Sequence, residues 1–392
     1  MIWSHEILKN IEGKAVTMPL CIPSYNRPHS TTLKLAVESN VPTYLFIYPE
    51  QVEAYKEEMT KTGDWSNVTI VECIGFKGII PKRNFISQHM YSLGFEQIFV
   101  FDDDVKEITY VSRPEVLPED VKGVGNYVVK PGLDTILAMW QYILDELYDE
   151  ELPWGTSGIA YNGYNGVMEV NTDKAYKLTG MSIVTVALNL KYLHDQKYTF
   201  EHGWDDVNFT FEAMEKGLNL CRIPWITYCL DMKIANESVV RDPEKEFENT
   251  YNYTLKSLEH FGEHYIRTYT IRDEMHIRVR WARIKKSMQE HGRLVRYPSI
   301  APNIDVIVWG NVDLANEYAE LENTNVLLVG PKTMDTKEIH TSINPKVFRY
   351  FNREKQIMRP NGQPFWLINS LNCKNAEFIN EEEYVAWKKS TI

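Results

Sequence analysis

The sequence predicts an α/β fold whose large domain is built on a Rossmann-like, mostly parallel sheet, and three observations favour it. Short apolar runs at residues 17–23, 43–48, 68–73 and 95–101 have the β-branched and aromatic composition of strands that are buried on both faces. Helical spacing separates these runs, at residues 32–39, 51–61 and 82–93. Units of this length join through right-handed crossovers, which align the strands in parallel.

The fourth of these strands ends in three consecutive acids, Asp102, Asp103 and Asp104. Ligands of open α/β sheets bind at this carboxyl edge. Adjacent carboxylates repel one another by about 1 kcal/mol per close pair even in a water-like dielectric, so a positive partner is expected. Mg²⁺ or Mn²⁺ carrying phosphates fits, because these ions take one or two carboxylates and leave other positions to phosphate oxygens. A solvated acidic turn is the alternative.

The pattern after residue 105 is less regular, and we interpret residues 106–132 as a loop. A helix is predicted over residues 133–148, an aromatic loop suited to lining a pocket over 154–166, and a strand over 181–188. Residues 204–217 form an amphipathic helix that begins with Asp205 and Asp206 and stops at Gly217, a natural C-cap. Capping of the helix, worth about 1 kcal/mol, explains one of these aspartates but not both. A strand over 221–229 completes the core.

The remainder of the chain divides in two. Residues 244–291 have polar, helical periodicity, whereas strand and helix patterns at 304–309, 314–321, 326–329 and 347–351 predict a small α/β unit. We therefore expect a catalytic domain at residues 1–240, a helical basic segment at 241–297 and a small C-terminal α/β unit at 298–392.

Charge is distributed unevenly along the chain. The net charge of −12 by itself argues against a nucleic-acid binder. Residues 265–296, however, contain nine arginines or lysines and three acids, so this window carries +6 and the remainder −18. Such asymmetry points to a polyanionic partner, and the interleaved tyrosines and tryptophan are suited to stacking on bases. A solvated helix that packs on the acidic domain is the alternative.

The expected location is the cytoplasm. The five cysteines are scattered without zinc or disulfide spacing, which favours a reducing compartment. No run approaches the roughly 18 apolar residues of a membrane span, and the first residues lack the layout of a signal peptide. We expect no membrane association, and the sequence does not indicate the oligomeric state.

Four motifs, in this order, resemble the nucleotide-sugar glycosyltransferases of the GT-A fold: IPSYNRP (22–28), GFKGIIPKRN (75–84), FVFDDDV (99–105) and WDDVNFTFEAMEKG (204–217). The resemblance covers roughly residues 17–230. Asp206 lies eleven residues before Gly217, as the catalytic base does in the inverting members of that family. The resemblance implies a UDP-sugar donor, with UDP-glucose as the default and UDP-arabinose as an alternative. It also implies Mn²⁺ or Mg²⁺ as cofactor.

The resemblance also assigns roles to residues. Asp104 and Asp102 would hold the metal, and Asp206 would be the general base, with Asp205 as base and Asp206 as cap the alternative. The donor nucleotide would lie on Pro23, Ser24, Tyr25, Asn26, Arg27, Lys82, Arg83, Asp102 and Asp103. Lys82 and Arg83 also begin a helix, where free N–H groups favour phosphate independently of any family. His260 and His264 are four residues apart and could face the metal from one helix, although a solvated helix face is the simpler interpretation.

For the acceptor, the motifs most resemble the phage DNA glycosyltransferases found beside TET-like dioxygenases, which act on 5-hydroxymethylated pyrimidines. This implies that DNA containing 5-hydroxymethylcytosine is the acceptor and that the target base leaves the stack. We expect the base to enter a pocket formed by Trp154, Tyr161, Tyr164 and Trp204. The predicted nucleic-acid contacts are Arg278, Arg280, Arg283, Lys285 and Lys286. A glycosyltransferase acting on saccharide or protein, an inactive nucleic-acid-binding module and a nucleotidyltransferase are the alternatives.

Overall fold

A computed structural model describes residues 3–63, 65–112, 127–161, 174–181, 184–231, 243–262, 264–271, 274–296, 304–321, 324–331, 334, 338, 342–344, 347–352, 376–379 and 382. The chain forms two compact units. The first consists of Met1–Phe200, Trp204–Asp242 and Trp281–Val295, and the second of Glu201–Gly203, Pro243–Arg280 and Arg296–Ile392. The predicted basic segment is therefore divided between the units, and the three-part division made from the sequence stays a prediction.

The first unit is built on a nine-stranded sheet with the order β3-β2-β1-β4-β8-β7-β9-β5-β6. Strands β5 and β8 run opposite to the other seven, so the predicted mostly parallel sheet is confirmed. The strands are β1 (Leu20–Pro23), β2 (Thr43–Ile47), β3 (Val68–Glu72), β4 (Gln97–Phe101), β5 (Val105–Ser112), β6 (Tyr127–Val129), β7 (Trp154–Tyr161), β8 (Thr185–Asn189) and β9 (Asn219–Leu230).

Helices cover both faces of this sheet. In the first unit they are α1 (Trp3–Ile11), α2 (Thr31–Glu38), α3 (Val52–Thr62), α4 (Ile79–Ser92), α5 (Leu133–Tyr142), α6 (Leu190–Leu193), α7 (Asp205–Glu215) and α9 (Trp281–His291). Strand β4 illustrates the packing, because Phe99 and Phe101 lie against Trp140 of α5, at ring distances of 5.2 and 6.0 Å. Ile98 points the opposite way, into the cluster that contains Ile86 of α4. Alternate residues are thus buried on opposite faces, as the continuous apolar runs predict.

Three stretches of the first unit differ from the sequence prediction. Helix α1 was not predicted. The loop expected at residues 106–132 includes β5 and β6, and its centre, residues 113–126, lies outside the described residues. The aromatic loop expected at residues 154–166 is β7 up to Tyr161, a strand that is buried almost throughout. Its small residues and glycines conceal strand character, because burial against neighbouring strands overrides weak local propensity.

The second unit contains α8 (Pro243–Phe261), an antiparallel hairpin of β10 (Ile266–Ile271) and β11 (Glu274–Val279), and a parallel sheet. The hairpin corrects the helix expected throughout residues 244–291. Alternating β-branched residues in both segments (IRTYTI and EMHIRV) explain the strand pairing. The strands near the C-terminus form a parallel sheet with the order β14-β13-β12-β15. The elements of this region are β12 (Val306–Trp309), α10 (Val312–Glu320), β13 (Val326–Pro331), β14 (Val347–Asn352) and β15 (Glu377–Phe378).

Candidate active site

The three aspartates form the turn that follows β4, and the first turn of α2 holds their backbone. Thr32 Oγ1 donates to the carbonyl oxygen of Asp102 at 2.6 Å, and Ser30 Oγ donates to that of Asp103 at 2.7 Å. Ser30 is also the N-cap of α2, accepting a hydrogen bond from the backbone N–H of Leu33. The aspartate turn is therefore fixed to a helix terminus as well as to the sheet edge.

The middle aspartate has its carboxylate occupied within the protein. Asp103 accepts hydrogen bonds from Ser24 Oγ at 2.5 Å and from Arg27 Nη1 at 2.5 Å, and its side chain is only 8% exposed. Ser24 also lies 2.6 Å from the hydroxyl of Tyr55, whose pKa is raised to about 12 by burial. Asp103 thus ties the loop after β1 to the end of β4.

Asp104 is placed differently. Its Oδ1 atom is buried and has no hydrogen-bond partner among the described residues, and its nearest cation, Arg27 Nη1, lies 3.8 Å from Oδ2. Burial raises the pKa of this carboxyl to about 6, and repulsion by Asp102 and Asp103 adds to the effect. A buried carboxylate oxygen without a donor fits a hard divalent cation, which takes oxygen ligands and compensates the desolvated charge.

A cavity of about 550 Å³ opens beside the aspartates. Every residue predicted to bind the donor except Asn26 lines it, and Tyr48, Glu50, Lys77, Gly78 and Ile79 complete the wall. Asn26 instead accepts a hydrogen bond from Gln51 Nε2 at 2.5 Å and adopts a φ of 53°. It shapes the loop after β1, since asparagine tolerates the left-handed region better than most residues.

Lys82 supplies a buried positive charge to this cavity. Its side chain donates to the carbonyl oxygen of Ser24 at 2.5 Å and lies 4.2 Å from the ring centre of Tyr48, while the residue is only 2% exposed. Among the described residues it has no carboxylate within ion-pair distance. Burial lowers its pKa. A buried ammonium held by a carbonyl and a ring favours an anionic ligand.

Arg83 connects the two acidic clusters. Its Nη1 lies 2.8 Å from Asp205 Oδ2, and its Nη2 lies 3.3 Å from Asp102 Oδ1. Burial raises the pKa of Asp102, and the positive charge of Arg83 offsets part of this effect. Arg83 thus brings Asp102 and Asp205, which the sequence separates by about a hundred positions, to one edge of the sheet.

Asp206 lies in the first turn of α7, where the N-cap residue is Trp204. Neither Asp205 nor Asp206 is the N-cap, so the alternative in which one of them caps the helix is wrong. Asp206 accepts a hydrogen bond from the backbone N–H of Val207 at 2.9 Å. Burial raises the pKa of Asp206 to about 6, and repulsion by Asp205 contributes. A carboxylate that is ionised at neutral pH and has raised basicity is suited to accept a proton.

The predicted acceptor residues are not all brought to this edge. Strand β7 runs parallel to β4, because both are antiparallel to β8, so Tyr161 ends at the aspartate edge. Its ring lies 5.4 Å from that of Tyr228, a residue missed from the sequence. Trp154 occupies the opposite end of β7, is 4% exposed and belongs to the core, which corrects its assignment to a pocket. Tyr164 lies outside the described residues, and Trp204 is partly buried beside Asp205.

The basic residues fall on separate elements. Arg283, Lys285 and Lys286 lie on the exposed face of α9 in the first unit, whose other face buries Ile284 and Met288. Arg278 is exposed on β11 and Arg280 is partly buried, both in the second unit. The expectation that His260 and His264 share a helix face is corrected, because α8 ends at Phe261. His260 instead stacks on His202 at 3.5 Å.

Within the described residues, no helix combines the length and the apolar character needed to cross a bilayer. A family model described as TET-Associated Glycosyltransferase matches residues 18–223, just over half of the chain. This match confirms the resemblance seen in the motifs and covers the aspartate turn, the cavity beside it and the whole of α7. No curated protein sequence matches the chain at a significant level.

Proposed function

This chain belongs to the TET-associated glycosyltransferase family and is a glycosyltransferase, and from that premise we propose that it transfers a sugar from a UDP-sugar to the hydroxyl of 5-hydroxymethylcytosine in DNA. The observation that carries the proposal is a pair of opposite charges in one cavity, Asp104 with Arg27 no closer than 3.8 Å and Lys82 without an ion pair among the described residues. Asp104 Oδ1 has no donor among the described residues, and Lys82 has no carboxylate there. A diphosphate accompanied by a divalent cation complements both.

The donor side follows from these contacts. Asp104, with the more exposed Asp102, would hold Mn²⁺ or Mg²⁺, and the ion would supply neutralisation of the diphosphate charge. Lys82 would contact a phosphate oxygen from the other wall. The exposed ring of Tyr25, which lies edge-on to Tyr48 at 5.8 Å, is placed to cover the nucleoside. UDP-glucose is the donor proposed first, and UDP-arabinose is the alternative.

The chemical step suggests a role for the second acidic cluster, Asp205 and Asp206. Asp206 accepts the proton of the acceptor hydroxyl as its oxygen attacks the anomeric carbon. The carbon–oxygen bond to the diphosphate breaks in the same displacement, UDP leaves with the electron pair, and the anomeric configuration inverts. Asp206 is suited to this role because its pKa of about 6 leaves it ionised, yet basic, at neutral pH.

The proposal that DNA is the acceptor rests on the family and on exposed basic residues. A flipped base needs a ring to stack on near the aspartates, and we propose the partly exposed ring of Tyr161 for this contact, with the buried ring of Tyr228 behind it at 5.4 Å. Exposed Arg283, Lys285 and Lys286 can contact phosphates, which would hold the duplex without reading its sequence. Arg278 is proposed for the same role.

The test is release of UDP from a panel of UDP-sugars, with Mn²⁺ present, in mixtures with DNA that contains either 5-hydroxymethylcytosine or unmodified cytosine. We expect release only with the hydroxymethylated DNA, together with a mass increase of one sugar on that DNA. UDP release that does not depend on the DNA would support glycosyltransferase activity but would indicate a saccharide or protein acceptor. No release from any UDP-sugar would contradict the donor assignment.

A further inference from the structure

Two consecutive residues of α4, Arg83 and Asn84, contact the segment that leads into α7. The guanidinium of Arg83 is only 13% exposed and lies between Asp205, also 13% exposed, and Asp102. It also lies 5.5 Å from the ring centre of Tyr198. Both terminal nitrogens of Arg83 are therefore engaged by carboxylates, although the residue lines the donor-side cavity.

The side-chain amide of Asn84 forms hydrogen bonds with both the carbonyl oxygen and the N–H of Tyr198. Its Nδ2 donates to the carbonyl oxygen of Tyr198 at 3.1 Å, and its Oδ1 accepts from the Tyr198 N–H at 2.7 Å. The Tyr198 ring stacks on Phe209 of α7 at 3.9 Å with an interplanar angle of 5°. Gln196 Nε2 donates to the carbonyl oxygen of Phe209 at 2.5 Å. Residues 196–199 thus join α4 to α7 through hydrogen bonds and a ring stack.

Resting on the proposed function, we propose that Arg83 and Asn84 are positioning residues that hold the first turn of α7 against the end of β4, and thereby set the distance between Asp206 and the donor edge. Arg83 fixes the first turn through Asp205, and Asn84 fixes the preceding segment through Tyr198. Displacement of a catalytic group by about 1 Å can cost on the order of 10²-fold in rate. Arg83 accordingly acts on catalysis through Asp205 and not by contact with the nucleotide.

The chemistry explains why an arginine occupies this position. Two partly buried carboxylates on different elements repel each other, and a planar guanidinium can donate to both at once in a fixed geometry. A lysine would keep the charge but can only approximate this arrangement with a single ammonium. A glutamine would leave Asp102 and Asp205 without a counter-charge.

Steady-state kinetics and UDP binding separate positioning from nucleotide binding. In Arg83→Gln we expect kcat to fall at least about tenfold and the Kd for UDP with Mn²⁺ to change less than about threefold, because the interaction lost serves the transition state. The Arg83→Lys variant should have a kcat between those of Arg83→Gln and the wild type. Asn84→Asp keeps the size but places a charged carboxylate oxygen against the carbonyl oxygen of Tyr198 in place of the donating amide, and it should lower kcat in the same way. Lys61→Gln, which breaks an exposed ion pair with Glu57 on α3, is the matched control and should behave as wild type.

A double variant addresses misfolding. Arg83→Gln leaves Asp205 as a partly buried charge without its partner, so adding Asp205→Asn should recover activity to the level of Asp205→Asn alone. Losses that simply multiply in the double variant would overturn the proposal. So would an Arg83→Gln enzyme whose Kd for UDP rises tenfold or more at unchanged kcat, since that would make Arg83 a nucleotide-binding residue.

An activity-independent measurement distinguishes failure of this inference from failure of the proposed function. Within the part of the chain that the structure describes, the charged and titratable groups found to act on Asp206 are Asp205 on its own helix, Arg83 from α4 and Tyr198 from the preceding segment. Carboxyl carbon NMR titration of the free protein, assigned with Asp206→Asn, should show a higher midpoint for Asp206 in Arg83→Gln than in wild type. An unchanged midpoint would overturn the coupling even if no substrate is ever turned over.

Discussion

The hydroxyl of Ser24 lies 2.5 Å from Oδ2 of Asp103 and joins the loop after β1 to the middle of the aspartate turn. With Arg27 on the other oxygen, the carboxylate of Asp103 is fully used inside the protein. Of the two aspartates that flank it, Asp102 lies 3.3 Å from Arg83, and Asp104 has an oxygen without a hydrogen-bond partner among the described residues. Three adjacent acids of identical chemistry therefore have different roles, set by the neighbours that the fold supplies.

This difference predicts opposite results for two neighbouring substitutions. Asp104→Asn should lower kcat by at least about 10²-fold and weaken the dependence on Mn²⁺ concentration, because a metal ligand is lost while the fold is kept. Asp103→Asn should instead lower stability by on the order of 3 kcal/mol, because the largely buried Arg27 loses its 2.5 Å contact with a charged carboxylate and keeps the longer one to Asp104 at 3.8 Å. Urea denaturation and Mn²⁺ titrations of activity measure the two effects. Equal loss of metal response in both variants would contradict the division of roles.

Lys82→Met tests the buried ammonium. We expect the Kd for UDP to rise roughly tenfold to a hundredfold, since a charge-assisted contact to phosphate contributes about 1.5–3 kcal/mol. Stability without ligand should change little, because methionine fills similar volume and removal of a buried charge without a carboxylate among the described residues offsets the lost hydrogen bond to the carbonyl oxygen of Ser24. Calorimetric titration with UDP and thermal unfolding of the free protein check these results. A destabilised variant with normal UDP affinity would show that Lys82 serves the fold alone.

Sequence reasoning grouped most of the residues that line the cavity beside the aspartates, because their signals are local. The apolar run into Asp102 and the turn-rich stretch at Ser24 each end a strand, and parallel strands bring their carboxyl ends to one edge. Trp154 was misplaced because an aromatic, glycine-rich segment resembles a loop until its neighbours in the sheet are known. The contact of Arg83 with Asp205 joins residues that are far apart in the sequence, and no local pattern encodes it. Tyr198 and Tyr228 carry no motif at all.

The raised pKa of Asp206 predicts a pH dependence. The base must be ionised, so kcat/KM should fall as the pH drops below about 6, with a limb that is absent from the residual activity of Asp206→Asn. The same variant should lower kcat by at least about 10²-fold near neutral pH. A pH profile that stays flat down to pH 5 in wild type, measured with saturating metal, would remove Asp206 from the role of base.

The same pKa also predicts how stability responds to pH. The folded protein binds the Asp206 proton more tightly than the unfolded chain does, so the stability linked to this group is present below pH 4 and is lost as the pH rises through about 6. Asp206→Asn should therefore be more stable than wild type near pH 7.5, by on the order of 2 kcal/mol, and should lose that advantage near pH 4. Urea midpoints of both proteins at the two pH values provide the measurement. An advantage of equal size at both values would indicate a packing effect of the amide.

Substitutions on the exposed face of α9 test the proposal that DNA is the acceptor. Replacing Arg283, Lys285 and Lys286 together by glutamine should weaken binding to duplex DNA and lower the slope of log Kd against log salt concentration by up to about 2.7, since each lost phosphate contact contributes about 0.9. Thermal stability should change little, because the apolar face of α9, with Ile284 and Met288 buried, is untouched. The matched control neutralises three exposed lysines of α2 and α3, Lys34, Lys56 and Lys61, which changes the net charge equally. If both triple variants reduce the slope by the same amount, the attraction is a property of net charge, and α9 is a solvated helix face and not a DNA contact.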